Sequence, residues 1–488
     1  MPKLRRFCSA VFIIFLICFL QGCIKGCKSG EDKKLKEVKE QIRKNNLKDA
    51  SKILYEIIKN NPQSDKAYEM RIELYSQLKR DRDMLDDYEK IVEIRENEQL
   101  PLLKKICFDL VRTSFENDDV DIRIDTIKAV TDLNENYFIP DLQKLLDDED
   151  YDVRDEASAA LKKFNVLPSQ AKLKEMFDSS DEWNRKYAVK VWGEDKNVPS
   201  IPEFKKALYD KSTIVKIEAI KALGIKGEKS TILELKRLLN ADESEVRLYA
   251  AESLLKIGEV SAYEPLFKAL NEDDYDIKIL AIKILGEIGG TNVTKRLKNV
   301  LEEDDEIVRK EAIDAMAKLG DKTIIPILLK FTKDNDYDVR ISAFLAMYKL
   351  GDMSVIERLK NALENGNFEI RSSAVSVIGE MGNKAITMNE LIKIRQLLHD
   401  SDEEVRISAV RSIGLLGNRD DVKEVIKSLK DEDDEVKLEA VIALGKIGDR
   451  QVIKDLRDLL RKKVMSPDFK IQTTLAIAKI IKERGVKS

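Results

Sequence analysis

A basic residue recurs through most of this chain at a fixed step. Arg123, Arg154, Arg185, Lys216, Arg247, Lys278, Arg309, Arg340 and Arg371 follow one another every 31 residues. Arg406 comes after 35, Lys437 after 31 and Lys470 after 33. A single globular core gives no reason for such regularity, because its elements differ in length and surroundings. A constant period means one small structural unit stacked on copies of itself.

The neighbours of the basic residue repeat with it. The preceding residue is apolar, as in Val153, Val215, Val246, Val308 and Val339, with Asn184 the exception. Three residues later stands alanine, as in Ala157, Ala188, Ala219, Ala250 and Ala281, and eleven later often glycine, as in Gly227, Gly258, Gly320 and Gly417. Four residues earlier comes a side chain that can accept from orphan N–H groups at a helix start, such as Asp181, Ser212, Asp274, Asp305, Asp336, Asn367 or Asp402. Acidic residues two before the basic one suit the positive end of the helix dipole. The alanine lets a second helix approach, and the glycine suits a left-handed helix end. Each unit therefore reads as helix, turn, helix, tight turn, the second helix opening at the Asp-x-x-[Val/Ile]-[Arg/Lys] run. This predicts an all-α, right-handed solenoid of about twelve hairpins over residues 98–488.

Asp433 to Ala440, continuing to Leu444 and Gly445, carries the pattern most fully. It resembles the HEAT-like repeats of phycobilin lyases. That resemblance implies the solenoid, and it leaves function open, since the fold serves lyases, hydroxylases, transport factors and scaffolds.

Residues 34–97 show helical spacing without the 31-residue step. Ala50, Leu54, Ile57 and Pro62, then Tyr68, Tyr75, Tyr88 and Ile91, resemble two tetratricopeptide hairpins. Ile72 and Met84 stand where that family has glycine and alanine. A plain helical cap for the array is an equal reading.

The N-terminus reads as an address. Lys3, Arg5 and Arg6 precede an apolar run, Ala10 to Leu20, too short to span a bilayer. Leu20-Gln21-Gly22-Cys23 resembles the lipobox of bacterial lipoproteins, in which the cysteine is acylated. The expectation is a signal peptide over 1–22, lipid on Cys23 and a polar tether over 23–33. The protein would then sit on a membrane of the bacterial envelope, facing the periplasm or the surface.

Composition narrows the function. The 86 basic and 90 acidic residues leave a net charge of -4, without the basic excess that nucleic-acid binding requires. His399 is the single histidine, which excludes the repeated His-Glu pairs of HEAT-type di-iron hydroxylases. Gly224 to Ser230 lacks the Gly-Lys step of a phosphate loop. No catalytic residue, cofactor site or metal site is expected, and the chain reads as a scaffold for a protein partner in the envelope. The alternative is a phycobilin-lyase-like enzyme or chromophore chaperone, which an exported location opposes.

Departures from the repeat mark candidate partner-binding residues. Trp183 replaces an acidic residue in a first helical turn and is expected to be exposed. The positions two and five after the basic residue should face the concave side. They are charged in early units, with Lys190, Glu218, Lys221 and Glu252. Later they become Ser342, Leu345, Ser373, Ser376 and Ser408. A longer loop at Asn383–Leu391 is a further departure.

Overall fold

The computed structural model describes residues 30–195, 201–227, 229–290, 292–382, 388–417, 419–462 and 465–485. The expected signal peptide, Cys23 and most of the tether lie outside them, as do residues 383–387 of the longer loop. Among the described residues every regular element is helical.

The chain divides into two compact units. The first joins the N-terminal 160 residues to the segment Gly448–Ser488. It holds α1 (30–43), α2 (Leu47–Asn60), α3 (Asp65–Gln77), α4 (Asp81–Arg95), α5 (Leu100–Arg112), α6 (Val120–Leu133) and α7 (Ile139–Lys144). The helix α8 (Tyr151–Lys163) ends this stretch. Residues 30–33, read above as tether, are helical. The expected boundary at residue 97 falls inside this unit, where α3 and α4 pack on α5. Ala50, Leu54, Ile57, Tyr68, Tyr88 and Ile91 are buried, as their spacing predicts.

The second unit, Leu161–Ile447, is a run of hairpins. Its first helices are short: α9 (Gln170–Phe177), α11 (Ile201–Ala207), α13 (Ile232–Leu238), α15 (Tyr263–Ala269), α17 (Val293–Val300), α19 (Ile325–Phe331), α21 (Ser354–Asn365), α23 (Met388–Leu397) and α25 (Val422–Ser428). The second helices are α10 (Glu182–Glu194), α12 (Thr213–Lys226), α14 (Ser244–Ile257), α16 (Tyr275–Ile288), α18 (Glu306–Leu319), α20 (Tyr337–Lys349), α22 (Phe368–Met381), α24 (Glu403–Leu416) and α26 (Asp434–Ile447). Each second helix packs on the second helix of the next hairpin. Two helices, α27 (Ile453–Leu460) and α28 (Pro467–Gly485), then return the chain to the first unit.

Second helices begin where the sequence places them. Asp181, Asp274, Asp305, Asp336, Asn367 and Asp402 each accept from a backbone N–H of the first turn. Ser212 does not, and its side chain leaves the cap unmade. Gly320 and Gly417 end their helices at φ +72° and +71°, a conformation that costs other residues energy.

The recurring basic residue turns out to be a bolt between hairpins. Arg406 donates from Nη1 to the carbonyls of Asp400 and Ser401 in its own turn, at 3.0 and 3.3 Å. Its Nε and Nη2 grip both oxygens of Asp431, in the turn of the next hairpin, at 2.9 Å each. Arg185 holds Asp210 in the same way, and Arg371 holds Asp400. Arg309 reaches Asp334, and in the first unit Arg123 reaches Asp148. Each such aspartate stands six residues before the next basic residue. Its Oδ1 also accepts the N–H two residues on, as Asp431 does from Asp433. Arg340 departs from the rule: its Nε donates to Ser373 Oγ at 3.0 Å.

A second set of ion pairs joins the two ends of the chain within the first unit. Arg457, 3% exposed, donates from Nη1 to both oxygens of Glu98 at 2.8 Å and lies over the Tyr88 ring. Arg461 holds Asp86, Lys470 holds Asp81, and Lys482 donates to the carbonyls of Leu133 and Asn134. Beneath these charges α28 packs on α5 and α6.

Two outcomes follow from these pairs. Arg457 is itself buried, packs on the Tyr88 ring and pairs with Glu89 and Glu98, so Arg457→Ala should cost about 2 kcal/mol locally through lost packing and lost pairing. Hydrogen exchange should quicken in α4 and α5 and stay unchanged across 161–447. The second outcome concerns acid. Burial opposes the charged form of Asp210, Asp400 and Asp431, yet their arginines outweigh it and hold all three below the usual carboxylate range. Depressed folded values mean that the stabilisation is complete above about pH 4 and is lost as pH falls through them. Thermal unfolding between about pH 5 and 2 should therefore steepen with acid, and less so in Arg406→Met.

Candidate functional site

The second helices of the second unit bring their repeat positions into rows, so a residue's place in the unit fixes its place on the face. Two grooves run along this face. One, of about 330 Å³, crosses α10, α12, α14 and α16. The other, of about 510 Å³, crosses α18, α20, α22 and α24.

The first groove is lined by the charged residues expected there, Lys190, Glu218, Lys221 and Glu252. They largely answer one another. Lys256 pairs with Glu252, Lys221 lies 3.9 Å from Glu218, and the Lys221 ammonium stands 4.1 Å above the Tyr249 ring. Burial raises the Tyr249 pKa, so the phenol stays neutral as the groove's floor.

The second groove has a hydroxyl floor. Tyr337 Oη shares a hydrogen bond with Ser376 Oγ at 2.7 Å and another with Ser408 Oγ at 3.3 Å. One side chain thus ties three consecutive second helices together. Ser412 Oγ donates to the Val375 carbonyl at 2.8 Å. Two of the groove's cations are already paired, Lys310 with Asp314 at 3.3 Å and Arg411 with Glu439 at 2.6 Å. Burial works against the Lys310 ammonium, but Asp314 and Glu311 overcome it and raise its pKa.

The serines are placed differently from expectation. The repeat phase predicts that Ser342, Ser373, Ser376 and Ser408 project from the concave side, but all four are buried. The neighbouring second helix comes too close to leave these positions open. Ser342 and Ser376 still line the groove from below, with the partly exposed Leu345 beside them. Ser373 is spent on Arg340.

Trp183 also needs correction. It is 1% exposed, not a surface anchor. Its ring stacks on Tyr187, one helical turn on, with centroids 5.0 Å apart. An indole at that i, i+4 spacing gains more by folding onto its neighbour than by standing in water. Trp192 is core, and its Nε1 donates to Gln170 at 2.9 Å. His399 stands on an exposed turn, and Gly224 lies inside α12. Among the described residues no group of three or more His, Cys, Asp or Glu could hold a metal ion.

The sequence reading missed a further row, nine residues after the basic one. In the second groove it comprises Lys318, Lys349, Glu380 and Leu415, all exposed. Because the basic residue fixes the phase, simple counting would have found it.

Close approach of the helices sets the groove's depth. A Cβ on Gly379 would lie 2.5 Å from Ser412 Oγ and 2.9 Å from Ser412 Cα. Gly379→Ala must push α22 from α24, and about 1–3 kcal/mol of destabilisation is expected. Its thermal midpoint should fall, whereas Lys318→Ala at the exposed rim should leave the midpoint near that of the wild type.

One family profile describes the repeat seen in this architecture. The family profile described as HEAT repeats matches residues 109–193, 201–282, 263–348 and 391–477. No curated protein matches the chain. Among solved structures it is similar to an engineered protein at 21% identity, over 63% of this chain and 98% of that one, TM-score 0.27. It is similar to YibA of E. coli at 23% identity, over 56% and 98%, TM-score 0.32. The karyopherin Kap121p, solved with the extreme C-terminus of the phosphatase Cdc14p, matches at 13% identity over 84% and 53%, TM-score 0.37. With the repeat profile covering well over half its length, this chain belongs to the HEAT-repeat family.

Proposed function

We propose that this protein is an exported, lipid-anchored scaffold of the bacterial envelope that holds a partner protein on the second-helix face of residues 161–447. One observation carries the reading. The groove over α18–α24 is open, its floor is fixed by interlocked hydroxyls, and the charged side chains Lys318, Lys349 and Glu380 on its rim make no ion pair among the described residues. A rigid groove with unspent charge is suited to binding, because little ordering entropy remains to be lost there. The groove gathers no nucleophile–base pair, so binding rather than chemistry is the activity it supports. The basic, apolar and lipobox-like order of residues 3–23 supports export and acylation at Cys23. An anchored array would meet its partner at the membrane surface, in the periplasm or outside the cell.

Site-specific photo-crosslinking in cells tests the scaffold. A crosslinker at Leu345 should give one discrete protein adduct, and one at the exposed first-helix residue Leu233 should not. Equal adducts from both positions, or none from Leu345, would overturn the assignment of this face. For the anchor, palmitate labelling should vanish in Cys23→Ala and the chain should leave the membrane fraction. Normal retention of that variant counts against it.

A further inference from the structure

The rim of the α18–α24 groove carries one residue per hairpin at the same repeat position. In chain order these are Lys318, Lys349, Glu380 and Leu415. All four are exposed, Leu415 by 45%. Among the described residues the first three form no ion pair, although charged residues are dense on this surface. The cations deeper in the groove, Lys310 and Arg411, are spent on Asp314 and Glu439. What remains is an ordered line of two positive charges, one negative charge and one apolar side chain.

The spacing of that line selects a conformation. Packed helices lie about 8–10 Å apart. A polyproline II segment turns once every three residues and advances about 9 Å per turn, so every third side chain faces the same way. A β-strand offers alternate residues to one face at about 7 Å, and falls out of step after two hairpins. An α-helix advances about 5 Å per turn and fails sooner.

The geometry points to an extended, polyproline II-like peptide segment as the occupant, read at every third residue as acidic, acidic, basic and apolar along α18 to α24. This rests on the scaffold reading and specifies the segment that the scaffold takes. Lys318 and Lys349 receive the two acidic side chains, Glu380 the basic one, and Leu415 the apolar one. Opposite charges placed in register provide specificity, because a segment shifted by one hairpin sets a basic group against Lys349.

Fluorescence anisotropy with the full chain tests it. The probes are ten-residue peptides with glutamate, glutamate, lysine and leucine at positions one, four, seven and ten, and proline or serine between. They are made in this order and reversed, with a scrambled peptide of equal composition. One of the two orders should bind about tenfold more tightly than the scramble. Lys349→Glu, at an exposed site, should remove that advantage, and a peptide with lysine in place of the second glutamate should restore it. If neither order outbinds the scramble, or if Lys349→Glu leaves affinity unchanged, the register is overturned. An adduct from Leu345 in cells without peptide discrimination would overturn the register and leave the scaffold standing. Loss of both would remove both.

Discussion

The interlock of a hairpin's arginine with the next hairpin's turn, made at Arg185, Arg309, Arg371 and Arg406, is the contact on which the second unit depends. A guanidinium has five donors in a fixed plane, enough to close its own turn's carbonyls and still hold a carboxylate beyond it. Arg185, Arg371 and Arg406 all do this. The aspartate in turn fixes the N–H that leads into the next capped helix. One interaction therefore sets both the turn and the stacking distance, and repeating it keeps the second helices in phase. Rows of equivalent side chains along a groove exist only because that phase is kept.

Stacking distance is then refined by what stands eight residues after the basic one. Gly193 faces Ala222, Gly224 faces Ser253, Gly286 faces Ala315 and Gly414 faces Ala443, each with no room for a methyl group. Such approach buries the floor serines and leaves the residues one position on as the exposed rim. Where Arg340 takes Ser373 in place of a carboxylate, Tyr337 adds a link of its own to Ser376 and Ser408. The larger of the two grooves thus lies where the usual bolt is replaced at Arg340 by hydroxyl contacts.

The first unit answers a different problem. A stacked array ends in an apolar face that must be covered. Here α28, from the far end of the sequence, covers α5 and α6 and is backed by α27, with Arg457 and Lys470 set against Glu89 and Asp81 of the acidic α4. The acidic run Asp81, Asp83, Asp86, Asp87 and Glu89 is plain in the sequence, but nothing local tells that Glu89 and Asp86 find their complements some 370 residues on, at Arg457 and Arg461.

Periodicity by itself determined that the chain is helical, how long each unit is, and where every second helix begins. These are consequences of caps, dipoles and small residues acting within one unit, so they are written locally. Counting also fixed which residues share a row. Only the tertiary structure decided which rows are floor and which are rim, because exposure depends on how closely the neighbouring helix approaches. That is why Trp183 and Ser373 proved buried while Lys349 and Glu380 proved open. It also decided that the two ends of the chain share one unit, a pairing of distant charges and apolar faces that no local pattern encodes.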